Sequence, residues 1–172
     1  TLSLHDALPI YLRTYDASSL AYRQGRTRRG SYAAYLDISH PDIPIFLEMR
    51  KPTGDPNMRC LNLHHGINIT DDFMQLIEAS MLDPNADDTW EFKDPHSGEV
   101  RDKISARELW QSILDMRMHT GEPYLHFVDT SNRAMPEFQK KLGLKGAILG
   151  DVMGLGKTLQ AIGFITKNVN AG

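Results

Sequence analysis

The sequence predicts an α/β protein with parallel strands. Stretches with apolar residues at helical spacing alternate along the chain with short stretches typical of strands. Signals for the start of a helix follow predicted strands, and no internal repeat or low-complexity tract interrupts the alternation. Because this alternation is typical of strand–helix–strand units, it favours a parallel sheet with helices packed on it.

The composition is that of an ordinary globular protein. Of the 172 residues, 41% are hydrophobic and 24% are charged. The formal net charge of −3 does not indicate a nucleic-acid partner. The single cysteine, Cys60, excludes an internal disulfide and favours a reducing compartment. No apolar run approaches the roughly 20 residues that span a bilayer, so we expect a soluble, cytoplasmic protein.

Spacing and breakers define the elements of the first half. A helix is predicted over Tyr11–Tyr22, where apolar residues recur at helical spacing without a breaker. The segment QGRTRRG, Gln24–Gly30, contains two glycines and three arginines and is predicted to be a loop. The remaining elements are a strand around Tyr32–Ile38, a helix that begins near Pro41, a turn at Lys51–Asn57 and an alternating strand over Leu61–Ile69.

Capping signals define the helices of the second half. Thr70 is a predicted N-cap, with Asp71 and Asp72 in the first turn, where the helix dipole favours negative charge. Ser105 and Glu108 form a capping box at the start of a helix over Ala106–His119, and Gly121 fits its C′ position. These two helices carry the apolar residues Phe73, Leu76, Ile77, Met81, Leu109, Ile113 and Met116. Short strands are predicted at TWEFKDP and at Tyr124–Asp129.

The first ten residues, TLSLHDALPI, lack the basic segment of a signal peptide. The DNA string ACT CTT TCC CTA CAC GAC GCT CTT CCG ATC, which resembles a common sequencing-library adapter, translates to all ten. We therefore interpret Thr1–Ile10 as an adapter-derived scar rather than a genuine strand or loop, and we exclude it from the fold prediction.

Three stretches carry a resemblance to a known family. They are QGRTRRGSYAAYLDISHPDI (24–43), TGEPYLHFVDTSNR (120–133) and FQKKLGLK (138–145). In this order and spacing they resemble the catalytic large chain of the aerobic (class I) ribonucleotide reductases. The resemblance covers residues 11–145, and it implies a partial slice of a ten-stranded α/β barrel.

The resemblance also implies a binding role for the arginine-rich loop. An isolated RTRR is more simply a solvated basic turn, but the flanking matches favour the specificity loop of the family, which lies between the substrate base and the allosteric effector. The positions that match are Gln24, Gly25, Arg28 and Gly30, with Arg28 expected to contact substrate. Glycine permits close approach of the backbone to a ligand, and an arginine fork pairs with phosphate or a base edge.

The family implies radical reduction of ribonucleoside diphosphates to deoxyribonucleotides for DNA synthesis. It further implies ATP and dNTP effectors, a homodimeric large chain, and a small subunit whose metal centre supplies the radical. The radical cysteine, asparagine and glutamate expected after Lys145 do not follow it here. We therefore assign no catalytic residue and expect a fragment that is inactive alone. A metal cluster of Cys60, His64 and His65 is a weak alternative, because adjacent strand residues point to opposite faces.

The tail carries a second resemblance. The segment GDVMGLGKTLQAIGF, Gly150–Phe164, resembles motif I of the Swi/Snf-type DNA helicases, although Asp151 replaces the first glycine of a strict phosphate loop. The ATP-binding positions would be Gly154, Gly156, Lys157 and Thr158. We interpret residues 146–172 as a chimeric tail, and an ATP-binding module of a helicase or translocase is the alternative function.

Overall fold

A computed structural model describes residues 4–24, 28–83 and 85–134. The helices are α1 (Leu4–Ala21), α2 (Ile43–Glu48), α3 (Asp71–Leu82), α4 (Ala106–Thr120) and α5 (Val128–Arg133), with a 3₁₀ turn at Pro56–Met58. The strands are β1 (Arg23–Gln24), β2 (Arg28–Arg29), β3 (Ala33–Asp37), β4 (His64–Ile69), β5 (Thr89–Lys93), β6 (Val100–Ser105) and β7 (Tyr124–Phe127). Among these residues, no helix has both the length and the apolar character to cross a membrane.

The fold is built on a parallel sheet of three strands in the order β3–β4–β7. Ala33 pairs with His64 at one end of the β3–β4 ladder, and Ile69 pairs with Phe127 at the far end of the β4–β7 ladder. The predicted α/β class with parallel strands is confirmed in this sheet. Two antiparallel hairpins, β1–β2 and β5–β6, were not predicted.

The central strand β4 differs from its prediction. It begins at His64 rather than at Leu61, and five of its six residues are buried instead of alternating with exposed ones. The reason is its position, because a strand with a neighbour on each edge and packing on both faces exposes neither face to water. Cys60 lies before this strand in an irregular segment and is fully buried.

Local signals predicted the capping residues of α3 and α4 correctly. The Thr70 hydroxyl accepts a hydrogen bond from the Phe73 N–H, and the Ser105 hydroxyl accepts one from the Glu108 N–H. Gly121 ends α4 in the left-handed conformation, with φ of 77°. Strand β7 ends at Phe127, and Asp129, predicted to continue it, lies in α5.

One hydrophobic core fills the space between the parallel sheet and helices α2, α3 and α4. Phe73 is fully buried, and its ring makes edge contacts with Trp90 and Trp110 at centroid distances of 5.0 and 6.3 Å. Of the apolar residues predicted on α3, Met81 is the exception, since it is 66% exposed.

Helix α1 begins at Leu4, well before the predicted start at Tyr11, because Leu8 and Leu12 pack against the core and continue the helix through Pro9. Further along, the Asp16 carboxylate accepts hydrogen bonds from the backbone N–H groups of Asn62 and Leu63, both at 2.7 Å. These bonds fix α1 against the segment that enters β4. The adapter origin of residues 1–10 stays a prediction.

Helix α3 offers a matched test of the core. We expect Phe73→Ala to lower the free energy of unfolding by about 3–5 kcal/mol, because it removes a fully buried ring and leaves a cavity. Met81→Ala, on the same helix but exposed, should change it by less than about 0.5 kcal/mol. Urea denaturation followed by tryptophan fluorescence measures both, and equal losses would contradict this packing.

Candidate functional site: the polar face of the parallel sheet

The two faces of the parallel sheet have different chemistry. In-register pairing and the two-residue period of strands sort the side chains by face. One face carries Leu36, His65, Ile67, Ile69 and Leu125, which join the helix-covered core or lie within it. The opposite face, called here the polar face, carries Tyr35, Asp37, His64, Gly66, Asn68, Tyr124 and His126. The polar face is therefore the candidate functional site.

A chain of hydrogen bonds crosses the carboxyl end of the polar face. Asn68 Nδ2 donates to Asp37 Oδ1 at 2.7 Å, and Asn68 Oδ1 lies 2.8 Å from His126 Nδ1. His126 Nε2 lies 3.0 Å from Ser131 Oγ on α5. Because an amide oxygen only accepts, His126 carries its proton on Nδ1, and the Ser131 hydroxyl donates to Nε2.

This chain satisfies two groups that would be costly to bury without partners. Asn68 is 8% exposed and His126 only 1%, and an unpaired polar group at such sites costs about 1–3 kcal/mol. Burial lowers the pKa of His126 and so favours the neutral imidazole. The nearby Asp37 carboxylate acts in the opposite direction. The bonds connect the ends of β3, β4 and β7 to the first turns of α5.

A buried carboxylate organises the opposite, amino end of the polar face. Glu122, 4% exposed, precedes β7, and its Oε2 lies 3.1 Å from both Arg50 Nε and the His65 backbone N–H. Its Oε1 lies 2.6 Å from His64 Nδ1. The Arg50 guanidinium also donates to the Leu61 carbonyl. Three donors from two segments thus compensate the desolvation of one carboxylate.

Aromatic rings lie beside this carboxylate. The His64 and Tyr124 rings stack with centroids 5.7 Å apart and planes inclined by 21°. The Tyr35 ring covers Gly66, where a Cβ would collide with it, and meets His126 edge-on at 6.0 Å. Burial raises the pKa of the Tyr35 hydroxyl above its ordinary value of 10. The amino half of the polar face is therefore an aromatic surface.

On the helix-covered face, His65 has a different environment. Its ring stacks on Phe46 at 4.5 Å, and within the described residues neither ring nitrogen has a hydrogen-bond partner. Burial lowers the pKa of His65 to about 4, and burial raises the pKa of Cys60 to about 12. The described part of the chain contains no group of three histidine, cysteine or acidic side chains able to hold a metal. His64 and His65 lie on opposite faces as predicted.

The predicted specificity loop forms the β1–β2 hairpin. Gln24 pairs with Arg28 across it, while Gly25 lies outside the described residues. The Gly30 N–H donates to the Tyr22 carbonyl, and a Cβ at Gly30 would collide with the carbonyl oxygens of Tyr22 and Ser19. Glycine is thus required where the hairpin returns past the end of α1. Gly154, Gly156, Lys157 and Thr158 lie outside the described residues, and their ATP-binding role stays a prediction.

The sequence did not indicate Glu122, Asn68 or His126 as members of a site. Glu122 and His126 are two of the residues quoted for the family resemblance, in TGEPYLHFVDTSNR, but their partners are about sixty positions away. The only local signal was the two-residue spacing of Tyr124 and His126, which places both on one face of β7.

Comparison with known proteins shows the family. The profile of the family described as "Ribonucleotide reductase, barrel domain" matches residues 5–145. This match covers most of the chain, which therefore belongs to the ribonucleotide reductase barrel-domain family.

Two viral relatives agree with this assignment. The chain is similar to the ribonucleoside-diphosphate reductase large subunit of Invertebrate iridescent virus 6, with 60% identity over 134 residues, covering 78% of this chain and 14% of the relative. It is 53% identical over 135 residues to a putative large subunit of Frog virus 3, covering 78% of this chain and 23% of the relative. A solved class Id alpha subunit of Actinobacillus ureae is similar at 26% identity and a TM-score of 0.46, covering 66% of this chain and 17% of that one.

The depressed pKa of His65 predicts a pH-dependent stability. Its ordinary value is 6.5 and its folded value about 4, so between these pH values the unfolded chain binds a proton that the folded chain does not. The free energy of unfolding should therefore fall by about 3 kcal/mol from pH 7 to pH 4 through this group. His65→Phe should remove that part of the slope.

Urea denaturation at several pH values measures this effect. His126, whose pKa is also lowered, contributes in the same direction and should leave a smaller slope in the variant. His119→Phe, at an exposed position of α4, is the control and should keep the full slope. If the free energy of unfolding of His65→Phe depended on pH as strongly as that of the unsubstituted chain, the lowered pKa of His65 would be contradicted.

The Glu122 carboxylate should stabilise the fold more than an exposed ion pair does. Glu122→Ala should cost about 3 kcal/mol or more, because it leaves the largely buried Arg50 guanidinium without its carboxylate partner and the His65 N–H without an acceptor. The control Glu48→Ala breaks an exposed pair with Lys51 and should cost less than about 1 kcal/mol. Similar losses in thermal or urea unfolding would rule out a special role for the buried carboxylate.

Proposed function

We propose that this chain contributes part of the substrate-binding wall of a ribonucleotide reductase large subunit, an oxidoreductase that reduces ribonucleoside diphosphates to deoxyribonucleotides by radical chemistry. The observation that carries the proposal is the connection of the arginine-rich hairpin β1–β2 to β3. The hairpin ends at Arg29, and Ala33 begins the first strand of the sheet. The chain spans 14% and 23% of the two viral relatives, so the activity of a whole subunit is the proposal.

The sheet supports the finer proposal that these strands belong to a ten-stranded α/β barrel. Barrels place helices outside and line their interior with the side chains of the opposite face. Here α3 and α4 cover one face of β3, β4 and β7, while the other carries tyrosine, histidine, asparagine and aspartate. In the proposed barrel the polar face points inward, toward the substrate.

The hairpin supplies the proposed specificity loop. Gln24, Gly25, Arg28 and Gly30 occupy the positions that match the family loop. Gly30 permits close contact with α1, and Arg28 is the residue proposed to pair with the nucleotide. An ATP or dNTP effector would bind on the other side of the loop.

Helix α1 supports the proposed dimer of large chains. It precedes the hairpin directly and exposes several large apolar or aromatic side chains: Tyr11, Tyr15 and Leu20 are between 42% and 61% exposed. Such a concentration on one helix is typical of an interface. A small subunit would supply the radical from its metal centre. We also propose that the protein is cytoplasmic.

The chain alone should form no deoxynucleotide. Its single thiol, Cys60, is fully buried, and burial raises its pKa to about 12, so it offers no reactive thiolate. Formation of deoxynucleotide by this chain alone would contradict the proposal that it contributes substrate-binding residues and no catalytic residue.

The hairpin arginine provides the test of substrate binding. We expect CDP to bind the chain and Arg28→Ala to raise its Kd by about tenfold or more, because a charge-assisted bond to phosphate or base is lost. Lys103→Ala, an exposed cation on the β5–β6 hairpin, should leave the Kd unchanged. Isothermal titration calorimetry measures all three Kd values, and equal weakening by the two substitutions would indicate non-specific attraction instead.

A further inference from the structure

The aromatic surface at the amino end of the polar face has the dimensions and chemistry of a platform for a planar ring. His64 and Tyr124 stack at 5.7 Å with nearly parallel planes. The His64 side chain is 36% exposed and Tyr124 is 41% exposed, so both rings can be reached from solvent. The Tyr35 ring lies over the next residue along the face, Gly66.

The buried carboxylate fixes how His64 presents its ring. Glu122 Oε1 lies 2.6 Å from His64 Nδ1, and an ionised carboxylate only accepts, so Nδ1 carries the proton. The other nitrogen, Nε2, has no hydrogen-bond partner among the described residues. In neutral His64 this Nε2 is therefore an acceptor that a ligand can use.

The platform lies beside the β1–β2 hairpin, which is proposed to bind substrate. The His64 backbone N–H donates to the Tyr32 carbonyl at 2.9 Å, and β2 ends three residues before Tyr32. Arg28 precedes Tyr32 by four residues, which span about 14 Å at most, so a ligand that contacts the hairpin could also reach the platform.

We propose that His64 and Tyr124 receive the base of a ribonucleoside diphosphate, with His64 Nε2 accepting a hydrogen bond from the base edge. Every nucleobase combines a planar face with a hydrogen-bond donor on its edge, which matches a stacked pair with one oriented acceptor. Glu122 is a positioning residue, since it acts through His64. The inference rests on the proposed function and adds base-contacting residues to it.

The test is an NMR titration of the 172-residue chain at pH 8 with four probes: CDP, ADP, ribose 5-phosphate and inorganic pyrophosphate. The two nucleotides should shift the ring resonances of His64 and Tyr124, whereas the two probes without a base should not. His64→Ala and Tyr124→Ala should each raise the Kd for CDP by about fivefold or more, because the first removes the hydrogen-bond acceptor and the second removes an aromatic ring beside the base. His119→Ala, at an exposed histidine on α4, should have no effect.

The outcomes separate the two proposals. CDP binding that depends on Arg28 but leaves the His64 and Tyr124 resonances unmoved would overturn the platform and leave the proposed function standing. Ring shifts caused equally by pyrophosphate would also overturn it, because they would show an effect of charge alone. Absence of any nucleotide binding would contradict both. Glu122→Gln should reduce the His64 ring shift while Arg28-dependent binding persists.

Discussion

The in-register parallel pairing of β4 with β3 and β7 is the constraint on which the rest of the structure depends. Because every second side chain faces the same way, the register determines at once which residues enter the core and which form the polar face. A slip by one residue would move Ile67 and Ile69 out of the core and bring Asn68 into it. The hydrophobic core and the candidate site therefore depend on the same pairing.

Polar groups reinforce this pairing at both ends of the sheet. At the amino end, Glu122 connects the start of β7 to the start of β4 and to Arg50. At the carboxyl end, the bonds from Asp37 through Asn68 and His126 to Ser131 connect all three strands to α5. A buried hydrogen-bond network is destabilising when some of its members lack partners. A residue that replaces one of these side chains must therefore supply the same donor or acceptor.

The sequence predicted those features of the fold that depend only on residues close together in the chain. Thr70, Ser105 and Gly121 act within one helix turn, so their roles could be identified locally. Strand β6 was missed because Val100–Ser105 is largely exposed and charged, and it forms only by pairing with β5. The length of α1 was underestimated because packing of Leu8, not local propensity, continues the helix through Pro9.

Of the residues proposed to contact a nucleotide, the sequence indicated only those of the hairpin. Gln24, Arg28 and Gly30 stood out because a glycine- and arginine-rich segment resembles a family loop. Glu122 did not stand out, and His64 was considered only as a metal ligand, because the two residues are 58 positions apart and no local pattern connects them. Contacts across parallel strands connect distant segments, and a single sequence does not encode their pairing in any local pattern.

We propose that these residues form one wall of a ribonucleotide reductase barrel. The most direct measurement replaces the matching segment of the Invertebrate iridescent virus 6 large subunit, 60% identical over 134 residues, with the residues of this chain that align to it. CDP reduction is then assayed with the viral small subunit. The account predicts a folded large subunit that retains activity, and loses it on Arg28→Ala. A chimera that folds and dimerises but reduces no CDP would contradict it.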